Sequence, residues 1–272
     1  MSAALPSVFI SHGAPTIVIE DTAARRFLAD FGQRLPRPQA IVMISAHWET
    51  ADVSVLNGAR LATIHDFFGF PRALYELDYP VAGARDVATD IVALLDAVGV
   101  PVRCDPLRGL DHGAWIPLRL MYPDGDIPVT QVSICPARSS AFHWHIGQAL
   151  APLRERGVLI VGSGALTHNL GDWRTLRRAA DGTLPTPAYA VDFCAWVADT
   201  LERGDDPALC AWETHAPHAR RAHPSPDHFL PLHVAAGAAG ARWRGERVHA
   251  SFDHGVIGMD CYVFETPRAV AA

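Results

Sequence analysis

The chain has 272 residues, of which 49% are apolar and 19% charged, with a formal net charge of −6. That is enough apolar chain to bury a sizeable core, and its arginines are scattered rather than clustered, which excludes a mainly disordered chain and speaks against a nucleic-acid partner. There is no run of about 18 apolar residues free of charge, so no membrane span is expected, and no basic segment leads into an apolar stretch at the N-terminus, so no signal peptide is read. Five widely spaced cysteines without a Cys-x-x-Cys pair argue against a disulfide framework and a zinc ribbon. The expected compartment is the reducing cytoplasm.

Residues 7–11 and 40–45 read as buried strands, being short, apolar and rich in β-branched side chains. Between them Ala24, Phe27, Leu28 and Phe31 recur at helical spacing, which predicts a helix over 20–34 that Pro36 and Pro38 bring to an end. Such a β–α–β unit favours a parallel strand pair. A helix is predicted over 84–98, a short strand over 101–104, a strand over 128–134, a helix over 140–155 and a buried strand over 157–162. Helices over 187–203 and 226–239 follow, and strands at 247–251 and 261–264 close the pattern. The polar, proline-bearing stretch 204–226 reads as a loop packed near the site. This alternation predicts one α/β domain over 1–272, with a mostly parallel or mixed central sheet flanked by helices.

Fourteen histidines are about twice the ordinary share for this length, and their placement matters more than their number. His12 follows the strand 7–11, His47 follows 40–45, and His168 follows 157–162 across a Gly-Ser-Gly turn. His112 lies after a loop and before an apolar stretch. Catalytic groups of α/β sheets gather outside the carboxyl ends of the strands, so these side chains are expected to converge. One histidine at a strand end is readily explained by a local hydrogen bond; a set of four points to metal binding, for which imidazole is the commonest ligand. His228 and His233 are five apart and do not share a helical face well; His228, nearer the helix start, is the better candidate. His65, in an aromatic loop, is either a pocket wall or a packed loop residue. His143, His145, His215, His218 and His249 read as surface or helix histidines, and His254 is left open. Gly162-Ser-Gly164 suggests a nucleophile elbow but lacks the full Gly-x-Ser-x-Gly pattern, and no P-loop or dinucleotide motif is present.

Six blocks occur in order: Ser11-His-Gly-Ala-Pro15, Ser45-Ala-His-Trp48, His65-Asp-Phe-Phe-Gly-Phe-Pro71, Asp111-His-Gly-Ala-Trp115, Gly162-Ser-Gly-x-x-x-His-Asn169 and Pro226-x-His-Phe-Leu-Pro-Leu232. With these blocks the chain closely resembles the class III extradiol ring-cleaving dioxygenases of the LigB superfamily, in the DOPA 4,5-dioxygenase-type branch. The resemblance covers nearly the whole chain. It implies a non-haem Fe(II) site with His12, His47 and His228 as metal ligands, a small aromatic diol and O2 as the reactants, and His168 and His112 as proton-transfer groups. His168 is also a possible fourth ligand. The wider superfamily has a Glu at the position of His228, and an all-nitrogen donor set also suits Zn2+. His65, Trp48 and Phe68, with Phe67, Phe70 and Trp115, are expected to wall an apolar slot for a flat ring. A zinc-dependent hydrolase and a non-catalytic metal-binding module of the same fold are the competing functions.

Overall fold

Short apolar segments buried on both faces build the centre of the molecule, as the burial of Val8, Phe9 and Ile10 in the first strand illustrates. The computed structural model describes residues 4–179 and 185–265; the ends of the predicted 1–272 domain lie outside them. The strands are β1 (Ser7–Ser11), β2 (Ala40–Glu49), β3 (Ser54–Leu56), β4 (Arg60–Leu61), β5 (Val81–Ala82), β6 (Arg103–Asp105), β7 (Val129–Ile134), β8 (Val158–Gly164), β9 (Arg244–His249), β10 (Phe252–Asp253), β11 (Ile257–Gly258) and β12 (Cys261–Glu265). Eight form one sheet in the order β6-β3-β7-β2-β8-β1-β12-β9, and β4–β5 and β10–β11 make two small ribbons. The central strands β7, β2, β8 and β1 are mutually parallel. Antiparallel β12 and β9 extend one side. On the other side β3 runs antiparallel to β7 and parallel to β6. The sheet is therefore mixed, within the predicted α/β class.

The helices are α1 (Ala23–Arg34), α2 (Arg72–Tyr75), α3 (Arg85–Ala97), α4 (His112–Met121), α5 (Ser140–Leu150), α6 (Leu170–Ala179), α7 (Ala188–Arg203), α8 (Asp206–Cys210), α9 (Trp212–His215), α10 (Ala219–Ala222) and α11 (Leu230–Gly237). Strand alternation sorts the core. Val8, Ile10, Ile41 and Met43 face α1 and α4 through Leu28, Phe31 and Trp115. Val42, Ile44 and Ile160 face α3, α5 and α11 through Ile91, Ile146 and Val234, while Phe9 packs with α7 through Phe193.

Four expectations are corrected. The segment 204–226 is not an irregular loop: α8, α9 and α10 occupy much of it. Asp205 opens α8 by accepting the Ala208 N–H, and Pro207 in the first turn suits a helix start. The helix 140–155 stops at Leu150 and continues as a 3-10 turn, closed by Gly157 at a φ of 75°. The helix 226–239 begins only at Leu230, with Pro231 in its first turn. Finally, β2 runs on to Glu49, so His47 lies within the strand rather than beyond it. Among the described residues no helix is long and apolar enough to cross a membrane.

Candidate metal centre

Because β1, β2 and β8 are parallel, their carboxyl ends share one edge of the sheet. His12 follows β1 directly, and its N–H donates to Gly164 O at the end of β8. His47 sits where the pairing of β2 with β7 slips register between Ile44 and Glu49. His228 lies just before α11, and its carbonyl accepts from the Ala165 N–H immediately past β8. Three separate parts of the fold thus bring one imidazole each to the same edge.

The three side chains converge. His12 Nε2 lies 3.0 Å from His47 Nε2, and the ligand atoms of His12, His47 and His228 all fall within 4.8 Å of one another. Two nitrogens each about 2.1 Å from one ion, at roughly 90–109°, stand about 3.0–3.4 Å apart. The separation of His12 and His47 matches that. Burial first, and then the neighbouring imidazoles, hold His12 and His228 well below the ordinary histidine range and His47 at about 4. The three rings are neutral at pH 7, as metal ligands must be. The donor set fits a transition metal.

Carboxylates brace this cluster, although sequence reasoning singled out none of them. Asp227 Oδ2 lies 2.6 Å from His228 Nδ1, leaving Nε2 as the free nitrogen. Asp111 is fully buried and accepts from Ser45 Oγ at 2.6 Å and Gln131 Nε2 at 2.6 Å. Ser45 Oγ in turn accepts the His47 N–H at 3.2 Å. Asp66 reaches His112 with both oxygens, accepting its backbone N–H at 2.8 Å and lying 3.0 Å from its Nδ1. Burial works to raise the Asp66 carboxyl, but its contacts with His112 outweigh that and hold it below the usual range. The available signal was that each of these aspartates adjoins a histidine in the chain (His65-Asp66, Asp111-His112, Asp227-His228).

The remaining histidines divide by position. His112 opens α4, with its ring centroid 3.9 Å from that of His47 and 5.6 Å from that of His12. Gly113 permits this approach: a Cβ there would come within 2.9 Å of His47 Cδ2 and 3.1 Å of His12 Cε1. His168 stacks on His228 with centroids 3.5 Å apart and planes 11° from parallel. Imidazole lone pairs lie in the ring plane, so those of two parallel stacked rings do not meet at one ion. Burial lowers the His168 pKa. His233 points elsewhere, to the carbonyls of Phe229 and Leu209. His143 lies on helix α5, within the surface-or-helix reading, but is fully buried there, accepting the Cys135 N–H on Nε2 and donating from Nδ1 to Ser139 O. His223, overlooked in the sequence, is buried and bonded to Leu166 O. His145, His215, His218 and His254 are exposed, and His249 is half-buried on Phe27.

Of the expected slot residues, His65 is half-buried among Phe67, Tyr75 and Trp115, with Nε2 bonded to Leu77 O. Trp48 is buried beneath the Arg108 guanidinium. Phe68 departs from expectation: it is 89% exposed, and its neighbour Phe67 is buried with its ring 5.8 Å from His112. Successive side chains of an extended segment point to opposite sides, so only one of the two can face inward.

An α/β sheet whose parallel strand ends gather neutral histidines, braced by carboxylates and flanked by two more imidazoles, defines a metal-dependent enzyme class. Residues 6–265 match the family described as the catalytic LigB subunit of aromatic ring-opening dioxygenase, and the chain belongs to that family. Relatives named 4,5-DOPA dioxygenase extradiol include one from Beta vulgaris, 43% identical over 260 residues and covering 94% of this chain and 95% of that protein. Another, from Escherichia coli strain K12, is 39% identical over 248 residues, covering 90% and 88%. A crystal structure of an uncharacterized protein from Escherichia coli K12 superposes with a TM-score of 0.79 at 33% identity, covering 96% of this chain and 99% of that one. The protein is an oxidoreductase that opens an aromatic ring with O2 by extradiol cleavage.

Proposed function

We propose that the working metal is Fe(II), held by His12, His47 and His228, and that the substrate is a catechol of the DOPA type. The observation that carries the metal assignment is the convergence of three neutral imidazoles from three parts of the fold, His12 and His228 buried and His47 half-buried. When bound, the metal supplies a Lewis acid and a redox partner that bring the diol and O2 together. The substrate assignment draws on the relatives' name and on the chemistry of the pocket groups.

The chain's own contribution is proton handling and positioning. A catechol sheds a proton on binding as the anion, and a proton must return to oxygen as the ring opens. His168 and His112 are assigned to these transfers, because they flank different ligands, His228 and His47. The stacking of His168 on His228 favours the acid/base role over a fourth ligand position. The pocket wall is assigned to Phe67 and His65, next to His112 and Trp115, rather than to solvent-facing Phe68. We take 1–272 as one catalytic unit and place it in the cytoplasm, in keeping with five unpaired cysteines.

The test is reconstitution of the metal-free protein with Fe(II) or Zn2+ in air, against a panel containing DOPA, dopamine, protocatechuate and unsubstituted catechol. A yellow ring-opened product with O2 uptake, obtained only with iron and fastest with DOPA, is expected. Failure of iron with every member sinks the assignment. Ester or amide hydrolysis by the zinc form would instead support a zinc hydrolase, a reading the all-nitrogen donor set also favours. His168→Ala is expected to keep its metal while turnover falls by ~10²-fold or more. Loss of metal stoichiometry in that variant would make His168 a ligand.

A further inference from the structure

Gly162-Ser-Gly164, set aside above as an incomplete nucleophile motif, places a fully buried serine at the end of β8, against the metal centre. Its hydroxyl has two neighbours. Ser163 Oγ lies 2.5 Å from Gly113 O and 2.9 Å from His12 Nδ1. Two oxygens approach that closely only with a hydrogen between them, and a carbonyl has none to give. A serine hydroxyl has a single hydrogen, so Ser163 donates to Gly113 and can only accept from His12. The proton on His12 therefore resides on Nδ1. The hydrogen-bond partners of this buried ring include no carboxylate, and such a ring is neutral, carrying one N–H. Nε2 is left with its lone pair, and Nε2 is the atom that faces His47 at 3.0 Å.

We infer that Ser163 is a positioning residue of the metal centre: it holds His12 in the Nδ1–H tautomer, with Nε2 free for the metal, and ties that ring to the first turn of α4. The acceptor Gly113 is the residue after His112, and its lack of a side chain lets the turn lie against the His12 and His47 rings. One hydroxyl thus links β1, β8 and α4, and sets the metal-binding nitrogen of His12 and the approach of the His112 turn together. Asp227 does the corresponding work for His228, with a carboxylate where His12 has a neutral hydroxyl. The inference rests on the assignment of His12 as a ligand.

Long-range nitrogen-15 NMR of the metal-free, full-length protein, with His12 signals assigned by their loss in His12→Ala, reads the tautomer directly. The wild type is expected to show the Nδ1–H form at His12; the Nε2–H form overturns the proposal, whatever the variants do. In Ser163→Ala the His12 signals should shift toward a tautomer mixture. Affinity for Fe(II) and Zn2+, read by chelator competition, should fall about 10–100-fold, with the melting temperature recorded alongside. A Ser163→Ala protein that keeps the pure Nδ1–H form or binds both metals as tightly as wild type also overturns it. The ligand assignment fails separately, if His12→Ala binds metal as well as wild type does.

Discussion

Asp66 illustrates how a single side chain positions His112, the imidazole packed beside His47. Asp111 precedes His112 and occupies the N-cap position of α4, yet its carboxylate makes no capping bond; it is engaged by Ser45, Gln131 and Arg108. Asp66, 46 residues away, accepts the first-turn N–H of buried His112 instead, and its other oxygen lies 3.0 Å from the ring Nδ1. Removing it frees the ring to rotate and, on the ligand assignment proposed above, leaves His12, His47 and His228 in place. Asp66→Ala is therefore expected to lower kcat by roughly tenfold, a fraction of the ~10²–10⁴ that a positioned acid or base supplies. Metal content and KM for the catechol should stay near wild type. Steady-state kinetics with metal analysis tests this, and a loss of metal instead of turnover would place Asp66 in the ligand sphere.

At the scale of elements, the segment bearing His228 is supported by the packing of α11 on α5. The two helices meet backbone to backbone: a Cβ at Gly147 would collide with the Val234 carbonyl, and one at Gly237 with the Trp144 carbonyl. Alanine is the better helix former by about 1 kcal/mol, but overpacking a rigid contact costs about 1–3 kcal/mol. Steric strain should win, because the opposing atoms are backbone and cannot rotate away. Gly147→Ala is expected to lower the denaturant midpoint, corresponding to a net loss of up to about 2 kcal/mol. A midpoint equal to or above that of the wild type would show that the helices can separate without penalty.

For the whole molecule, buried histidines outside the metal centre make stability depend on pH. Burial lowers His143 and His233 to about 4 and His223 to about 3, from an ordinary value of 6.5. Above pH 6.5 these groups are neutral in both the folded and unfolded chain, so they leave stability flat. As pH falls below 6.5 the unfolded chain takes up their protons and the folded chain does not, so stability is lost down to about pH 4. Three groups correspond to about 4 kcal/mol per pH unit in that window, against a typical total of ~5–15 kcal/mol. The metal-free protein should therefore unfold in the neighbourhood of pH 5. A melting temperature unchanged between pH 7 and pH 5 would contradict this.

The sequence by itself determined the α/β alternation and the histidines to examine. Apolar runs and helical spacing are local properties, and residues 7–11 emerge as a strand with the predicted bounds. The choice of His228 over His233 was likewise legible from position near a helix start. Which partners meet was decided only by the tertiary structure. Asp66 and His112 lie 46 positions apart and Ser163 and His12 lie 151 apart, and no local pattern encodes contacts at such distances. The inward turn of Phe67 rather than Phe68, the burial of His143 and the stacking of His168 on His228 are of the same kind. Each follows from how packed elements share space, and packing is a property of the assembled sheet and helices rather than of any segment.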